Sequence, residues 1–197
     1  SKYKNEYENY SLDYQSGIRD FGLKHDLEYH VSPAYTLRAG LQTTHHYFRP
    51  SAIVEIDEGA QYDFNSKVSY EAFESGIYAE NHFNFKGRAQ LNAGLRFSHF
   101  IAGEKPYFNI EPRLSANYIL LPGLSAKAAF AWMSQYIHLL SSTGIGLPTD
   151  LWVPSTDRVA PQKSIQASAG LAKELSEGKV LLTLEGYYKQ SSDILGY

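Results

Sequence analysis

The sequence predicts an all-β chain, an antiparallel transmembrane β-barrel segment of about eight strands from a larger barrel. Three observations carry this reading. The composition suits strands: 16 Tyr, 10 Phe and 15 Gly stand against one Met and no Cys in 197 residues, and aromatic side chains favour the pleated, half-exposed surface of a sheet. Apolar residues recur with a period of two rather than 3.6. Short turns alternate with long connections, the asymmetry of membrane barrels with brief periplasmic turns and longer extracellular loops.

The first clear strand sets Phe21, Leu23, Leu27, Tyr29 and Val31 against Lys24, Asp26, Glu28 and His30. Ser32-Pro33-Ala34 turns the chain into a second, with Tyr35, Leu37, Ala39, Leu41 and Tyr47 opposed to Thr36, Arg38, Gly40, Gln42 and Thr44. A long, loop-like connection is expected from about Arg49 to Asn65, because it contains Pro50 and the acidic run Glu55, Asp57 and Glu58. The third strand carries Phe73, Ile77, Ala79, Phe83 and Phe85 on one face, then turns at Lys86-Gly87 into a fourth with Ala89, Leu91, Ala93, Leu95 and Phe97. Ile110, Leu114, Ala116 and Tyr118 make a fifth, Pro122-Gly123 the next tight turn, and Leu124, Ala126, Ala128, Phe130 and Trp132 a sixth. The longest connection follows, from about Ser134 to Gln162, before two last strands around Ile165–Leu171 and Leu182–Lys189, joined at Ser176–Lys179.

The polar faces place Glu80, Arg96, Glu111, Arg113 and Glu185 at strand centres, where a soluble domain would put a dry core and a hydrated lumen tolerates charge. Tyr35, Tyr47, Phe85, Tyr118 and Trp132, near strand ends, suit interfacial girdles. No apolar run reaches the roughly 20 residues of a spanning helix, and the negative mean hydropathy is compatible with a barrel, since only every second residue meets lipid. A formal net charge of −3 lacks the basic footprint that nucleic-acid binding requires. Ser1–Glu6 carries no apolar signal segment, so any export signal is expected outside the chain.

Glu111-Pro112-Arg113-Leu114-Ser115, the run Ala129–Leu140, Leu147–Ser155, Ala160-Pro161-Gln162-Lys163-Ser164 and Glu185-Gly186-Tyr187-Tyr188-Lys189 together resemble TonB-dependent outer-membrane receptors of the Bacteroidetes type. The resemblance implies a barrel in the cell outer membrane, plugged by an N-terminal domain, that takes up a nutrient ligand with energy from TonB. It implies outer-membrane lipid, TonB acting through a plug, a small-molecule or oligomeric nutrient and a surface lipoprotein as partners. Neither a TonB box nor a plug sequence occurs here, so residues 1–197 are expected to be part of one barrel domain whose remaining strands and plug lie elsewhere. The alternatives are a non-transporting small barrel, adhesive or structural, closed on itself, and a soluble β-sandwich binding module. Pairing between the first and last strands separates the transporter from the small barrel.

Chemistry is sparse. No Gly-rich phosphate loop, Gly-x-Ser-x-Gly elbow or His-Glu-x-x-His occurs, so neither an enzyme nor a cofactor is expected. His45 and His46 are adjacent and on a strand point to opposite faces, unable to chelate one metal together. Glu55, Asp57, Glu58 and Asp63 lack the spacing of an EF-hand loop. The ligand-binding candidates are Tyr136, His138, Asp150 and Trp152, which combine aromatic surface with polar groups in a loop too long for a simple turn. The competing reading is that this loop braces the barrel mouth. Arg96, Glu111 and Arg113 form a candidate polar network of the lumen, either structural or lining the ligand path.

Overall fold

The computed structural model describes residues 2–7, 10–56, 69–141, 150–175 and 179–195, with side chains described for 17–49, 69–139, 152–175 and 179–195. Among the described residues nine strands form one antiparallel sheet: β1 (Lys2–Tyr7), β2 (Tyr10–Ser32), β3 (Tyr35–Ile56), β4 (Tyr70–Phe85), β5 (Ala89–Ile101), β6 (Pro106–Leu121), β7 (Leu124–Gln135), β10 (Gln162–Leu175) and β11 (Val180–Ser192), in that spatial order. Between β7 and β10, β8 (Ile137–Ser141) and β9 (Asp150–Pro154) make a separate hairpin. Each of the eight expected strands is present. Additional are β1, the extension of β2 back to Tyr10, and the continuation of β3 to Ile56, paired with β2 from Tyr10↔Ile56 onward. That pairing corrects the expected loop from Arg49: Pro50 does not end the strand. Glu55 is paired as backbone, whereas Asp57, Glu58 and Asp63 lie outside the described residues.

The period of two becomes two faces. Register pairs such as Leu27↔Ala39, Leu41↔Ile77, Ala79↔Leu95 and Leu114↔Phe130 keep one set of side chains on one side throughout. Leu27, Leu41, Leu95, Leu114 and Leu184 all belong to this side and are all exposed. Asn81 interrupts it, and its amide is satisfied: the Tyr35 hydroxyl donates to its Oδ1 (2.7 Å) and its Nδ2 donates to the Ala93 carbonyl (3.4 Å). A polar group turned away from water needs such partners. Among the described residues no helix is long and apolar enough to cross a membrane, which says nothing of strands.

The turns at Pro33-Ala34, Lys86–Arg88 and Pro122-Gly123, and the β10–β11 connection, fall at one end of the sheet; at the other lie the longer β3–β4, β5–β6 and β7–β10 connections together with the short one between paired Tyr7 and Tyr10. Lys86 and Gly87 both have positive φ (54° and 73°). They are the central residues of the turn that Arg88 N closes by donating to Phe85 O (3.0 Å), within the three-residue connection Lys86–Arg88 that joins β4 to β5.

The buried apolar cluster is small and sits on the inner face at the long-loop end: Phe48, Ala72, Phe100, Ala102 and Tyr136, with Ile18, Tyr107 and Ile137 packed against it. It consists of inner-face residues from successive strands, covered by the β8–β9 hairpin. The hairpin leaves β7 and its β9 arm lies against β2 and β3, so the sheet curls and the hairpin crosses its concave side.

Candidate functional site

The site is the inner wall beneath and beside this hairpin. Tyr136 is its anchor. The ring stacks on Phe100 at 4.8 Å and 4°, and the residue is only 3 % exposed. Its hydroxyl lies 2.7 Å from both Ser98 Oγ and Asn109 Nδ2. Donors and acceptors order these contacts. Ser98 donates to Glu111 Oε1 (2.9 Å); the Tyr136 hydroxyl then donates to Ser98 and accepts from Asn109 Nδ2, which can only donate. Glu111, 2 % exposed, is further compensated by Arg113 Nη2, 3.6 Å from its other oxygen. Burial is the leading cause that raises the Tyr136 phenol above its ordinary range, so it stays a neutral donor.

His138 is equally buried and its Nε2 lies 3.0 Å from Ser155 Oγ. Burial pushes its imidazole below the ordinary histidine value. The base of the hairpin closes by a backbone bond from Ser155 N to Tyr136 O (2.7 Å). The Tyr107 hydroxyl donates to the Thr156 carbonyl. Trp152 pairs with Leu139 across the hairpin, and both are exposed. Asp150 begins β9 opposite Ser141; its side chain lies outside those described. Of the four loop candidates, Tyr136 and His138 are thus turned into the protein and Trp152 outward.

The three lumen candidates divide. Arg96 stands directly opposite Glu111 in the β5–β6 register, yet its guanidinium reaches the other way, to Glu74 Oε1 at 3.2 Å. Gly76 makes this possible, since a Cβ there would stand 2.9 Å from Arg96 Nε. Glu74 also faces His46, whose Nε2 is 3.8 Å from its second oxygen and whose Nδ1 meets Asp20 at 2.8 Å. The result is two clusters, Asp20–His46–Glu74–Arg96 and Arg113–Glu111–Ser98–Tyr136–Asn109. The adjacent histidines do take opposite faces: His46 is inside, while His45 stacks on outer Phe73 at 4.4 Å.

Nearer the short turns the inner wall holds paired charges. Lys24 meets Asp26 at 2.8 Å and Arg38 meets Glu28 at 2.7 Å. Tyr78 lies flat across Gly40, where a Cβ would stand 2.7 Å from its ring, and donates to Asp26 on the far strand. Open hollows of about 490 and 680 Å³ along this wall are lined by Glu28, Arg38, Glu80 and Arg113 among others. Sequence reasoning missed Asp20, His46, Glu74, Ser98, Asn109 and Ser155 as members of these clusters. Strand parity puts the first five on the inner face, but only the register sets Asn109 opposite Ser98.

A family model described as TonB dependent receptor-like, beta-barrel matches residues 1–197. Among solved structures, a ferric enterobactin receptor mutant from Pseudomonas aeruginosa is similar at 14 % identity with a TM-score of 0.64, covering 96 % of this chain and 33 % of that one. The ferric yersiniabactin uptake receptor of Yersinia pestis matches at 14 % identity and a TM-score of 0.66, over 98 % of this chain and 32 % of that one. The RagAB peptide transporter matches at 10 % and 0.56, over 94 % and 25 %. This chain spans about a third or less of those proteins, and identities so low bear on the fold alone. No curated protein matches.

Proposed function

Because the chain belongs to the TonB-dependent receptor-like β-barrel family, we propose that it forms part of the wall of an outer-membrane transporter that takes up a nutrient ligand through a plugged barrel. The observation that carries this reading is the contrast between the faces. The outer face is an apolar belt with Leu, Ile and Phe exposed, as lipid requires. The inner face bears Asp20, Glu28, Arg38, Glu74, Arg96 and Arg113 in ion pairs, as a water-filled passage allows. β1 and β11 stand at the two ends of the sheet order rather than beside each other, which favours a larger barrel over a small one closed on itself. The remaining strands and the plug then belong to the same protein, with TonB acting on the plug and a surface lipoprotein as a further partner.

Within this reading the loop candidates share the work. Tyr136 holds the hairpin to the wall, His138 braces the hairpin's base through Ser155, and exposed Trp152, with Leu139, presents a rigid contact surface to the ligand. In the same reading Asp150 fixes the ligand's orientation by hydrogen bonds. Cell fractionation and heat-modifiable mobility on gels test placement and fold. Uptake of labelled ferric chelates and peptides is then compared between wild-type cells, cells lacking TonB and cells carrying Trp152→Ala. TonB-dependent uptake of one probe, reduced several-fold by Trp152→Ala in a normally assembled barrel, is the expected result. Uptake indifferent to TonB would remove the transport reading; normal uptake with Trp152→Ala would leave the hairpin a brace.

A further inference from the structure

The inner-wall quartet Asp20–His46–Glu74–Arg96 contains one atom that the wall leaves unmatched. His46 is 5 % exposed, and its Nδ1 donates to Asp20 Oδ1 at 2.8 Å. With the hydrogen on Nδ1, the neutral ring keeps its lone pair on Nε2. This Nε2 is buried and has no hydrogen-bond partner. Glu74 Oε2 stands before it at 3.8 Å, too far for a hydrogen bond. A buried polar atom in that condition calls for a partner.

The gap between the two atoms is close to the spacing that one small cation sets. Zinc bonds of about 2.0–2.1 Å to nitrogen and 2.0–2.2 Å to oxygen, at a tetrahedral angle, hold the two ligand atoms roughly 3.4 Å apart. A small turn of the Glu74 side chain therefore closes the site. The groups behind both ligands are already in place. Asp20 fixes the tautomer and direction of the ring, as carboxylates behind metal-bound histidines do. Arg96 Nη2 holds the other oxygen of Glu74, Oε1, at 3.2 Å, which leaves Oε2 for Nε2. Opposite His46 in the β3–β4 register stands only the methyl group of Ala72, so imidazole and carboxylate meet along the diagonal of the ladder. The Glu74 side chain is a quarter exposed, and water reaches the site from that side. Among the described residues no group of three or more His, Cys, Asp or Glu is arranged to hold a metal, so the protein supplies two ligands and water the rest. An imidazole nitrogen suits zinc, copper or nickel; calcium and magnesium take oxygen.

From this geometry we infer that His46 Nε2 and Glu74 Oε2 bind one divalent transition-metal cation of the zinc type, with Asp20 and Arg96 as positioning residues. The bound ion ties β3 to β4 beside Phe48 and Phe100, the residues of the wall on which the hairpin cluster is built. The inference concerns an ion held in the wall and is independent of what the barrel transports.

The test uses the full-length protein in detergent, stripped of metal with a chelator and titrated at pH 8 with Zn2+ alone by calorimetry. Cu2+ in place of Zn2+ lets electron paramagnetic resonance read coupling to an imidazole nitrogen. His46→Gln should remove one equivalent of bound ion together with that nitrogen coupling, and Glu74→Gln should weaken the same site at least tenfold. Asp20→Asn, which touches no ion, should weaken it about 10–100-fold. His45→Gln, on the outer face of the same strand, should change nothing. Asp20 is half exposed and its substitution disturbs packing least, so Asp20→Asn carries the test if His46→Gln gives no heat-modifiable barrel. A wild-type protein that binds no Zn2+, an unchanged number and affinity of bound ions in assembled His46→Gln, or unchanged affinity in Asp20→Asn overturns the inference.

Discussion

Removing one oxygen from Tyr136 tests whether the hairpin is held by its polar clamp. In Tyr136→Phe the ring keeps its stack on Phe100, and Ser98 still donates to Glu111, so neither of those groups is orphaned. Asn109 Nδ2, 2.7 Å from the lost hydroxyl, is left without that acceptor in a half-buried position. One lost bond to Ser98 and one unsatisfied donor are worth about 1–2 kcal/mol together, or roughly five- to thirty-fold in the equilibrium between docked and released hairpin. Tyr136→Ala removes the ring as well and should cost about 3–5 kcal/mol, enough to release the hairpin. Hydrogen exchange of the amides of β8 and β9 reads the docking equilibrium directly. Faster exchange confined to these strands, larger for Ala than for Phe, is expected. Unchanged protection in Tyr136→Phe would show that stacking alone holds the hairpin and that the Asn109–Tyr136–Ser98–Glu111 chain is incidental.

Gly40→Ala should lower the temperature at which the barrel loses heat-modifiable mobility, by about 1–3 kcal/mol of overpacking, because the new Cβ would lie 2.6 Å from Asp26 Oδ1 and 2.7 Å from the Tyr78 ring. Arg96→Met should destabilise by about 1–2 kcal/mol, since Glu74 loses its guanidinium partner; Arg96→Met with Glu74→Gln should recover part of that loss in the same assay. Docking of the hairpin should weaken in acid. Burial holds His138 below the ordinary value near 6.5, so the released hairpin binds more protons; the histidine's contribution is complete above that value and fades as pH falls through it. Trp152 fluorescence between pH 7.5 and 5 measures this, and His138→Gln should flatten the profile. Spin labels at positions 27, 41, 95, 114 and 184 should be reached by lipid-soluble oxygen, and labels at 80, 96 and 111 by water-soluble relaxants; the reverse pattern would mean a register wrong by one residue.

Much of the fold was legible because a strand's two faces are written into alternate residues. Phe21–Val31 and Ala89–Phe97 need no tertiary information to assign a side. The turns were legible for a similar reason, since Lys86-Gly87 and Pro122-Gly123 are local chemistry. Strand length past the membrane was not. Beyond Arg49, Pro50 and acidic residues weaken every local signal, and β3 continues because β2 runs alongside to pair with it. The β8–β9 hairpin was hidden as well, since five-residue strands carry little periodicity. Tyr136 and Trp152 look alike in sequence and end with opposite exposures, because the hairpin's path decides which one meets Phe100. Arg96 and Glu111 were recognisable as lumen residues. Their pairing was not, because Gly76 lets the guanidinium lie toward Glu74.

The hairpin also fixes an order of assembly. Tyr136 finds Ser98 and Asn109 on neighbouring strands, so its end of the hairpin can seat once β5 to β7 have paired. The β9 arm rests on β2 and β3, which lie far earlier in the chain, between Tyr10 and Ile56. Closing so long a loop is entropically unfavourable until the intervening strands have zipped and bent. Docking of β9 is therefore the last event in this stretch of wall and depends on its radius: flatten the sheet, and the arm has nothing to touch. A fluorophore at Trp152 would act as a gauge of curvature, dark or bright according to whether the wall around it has taken its final bend.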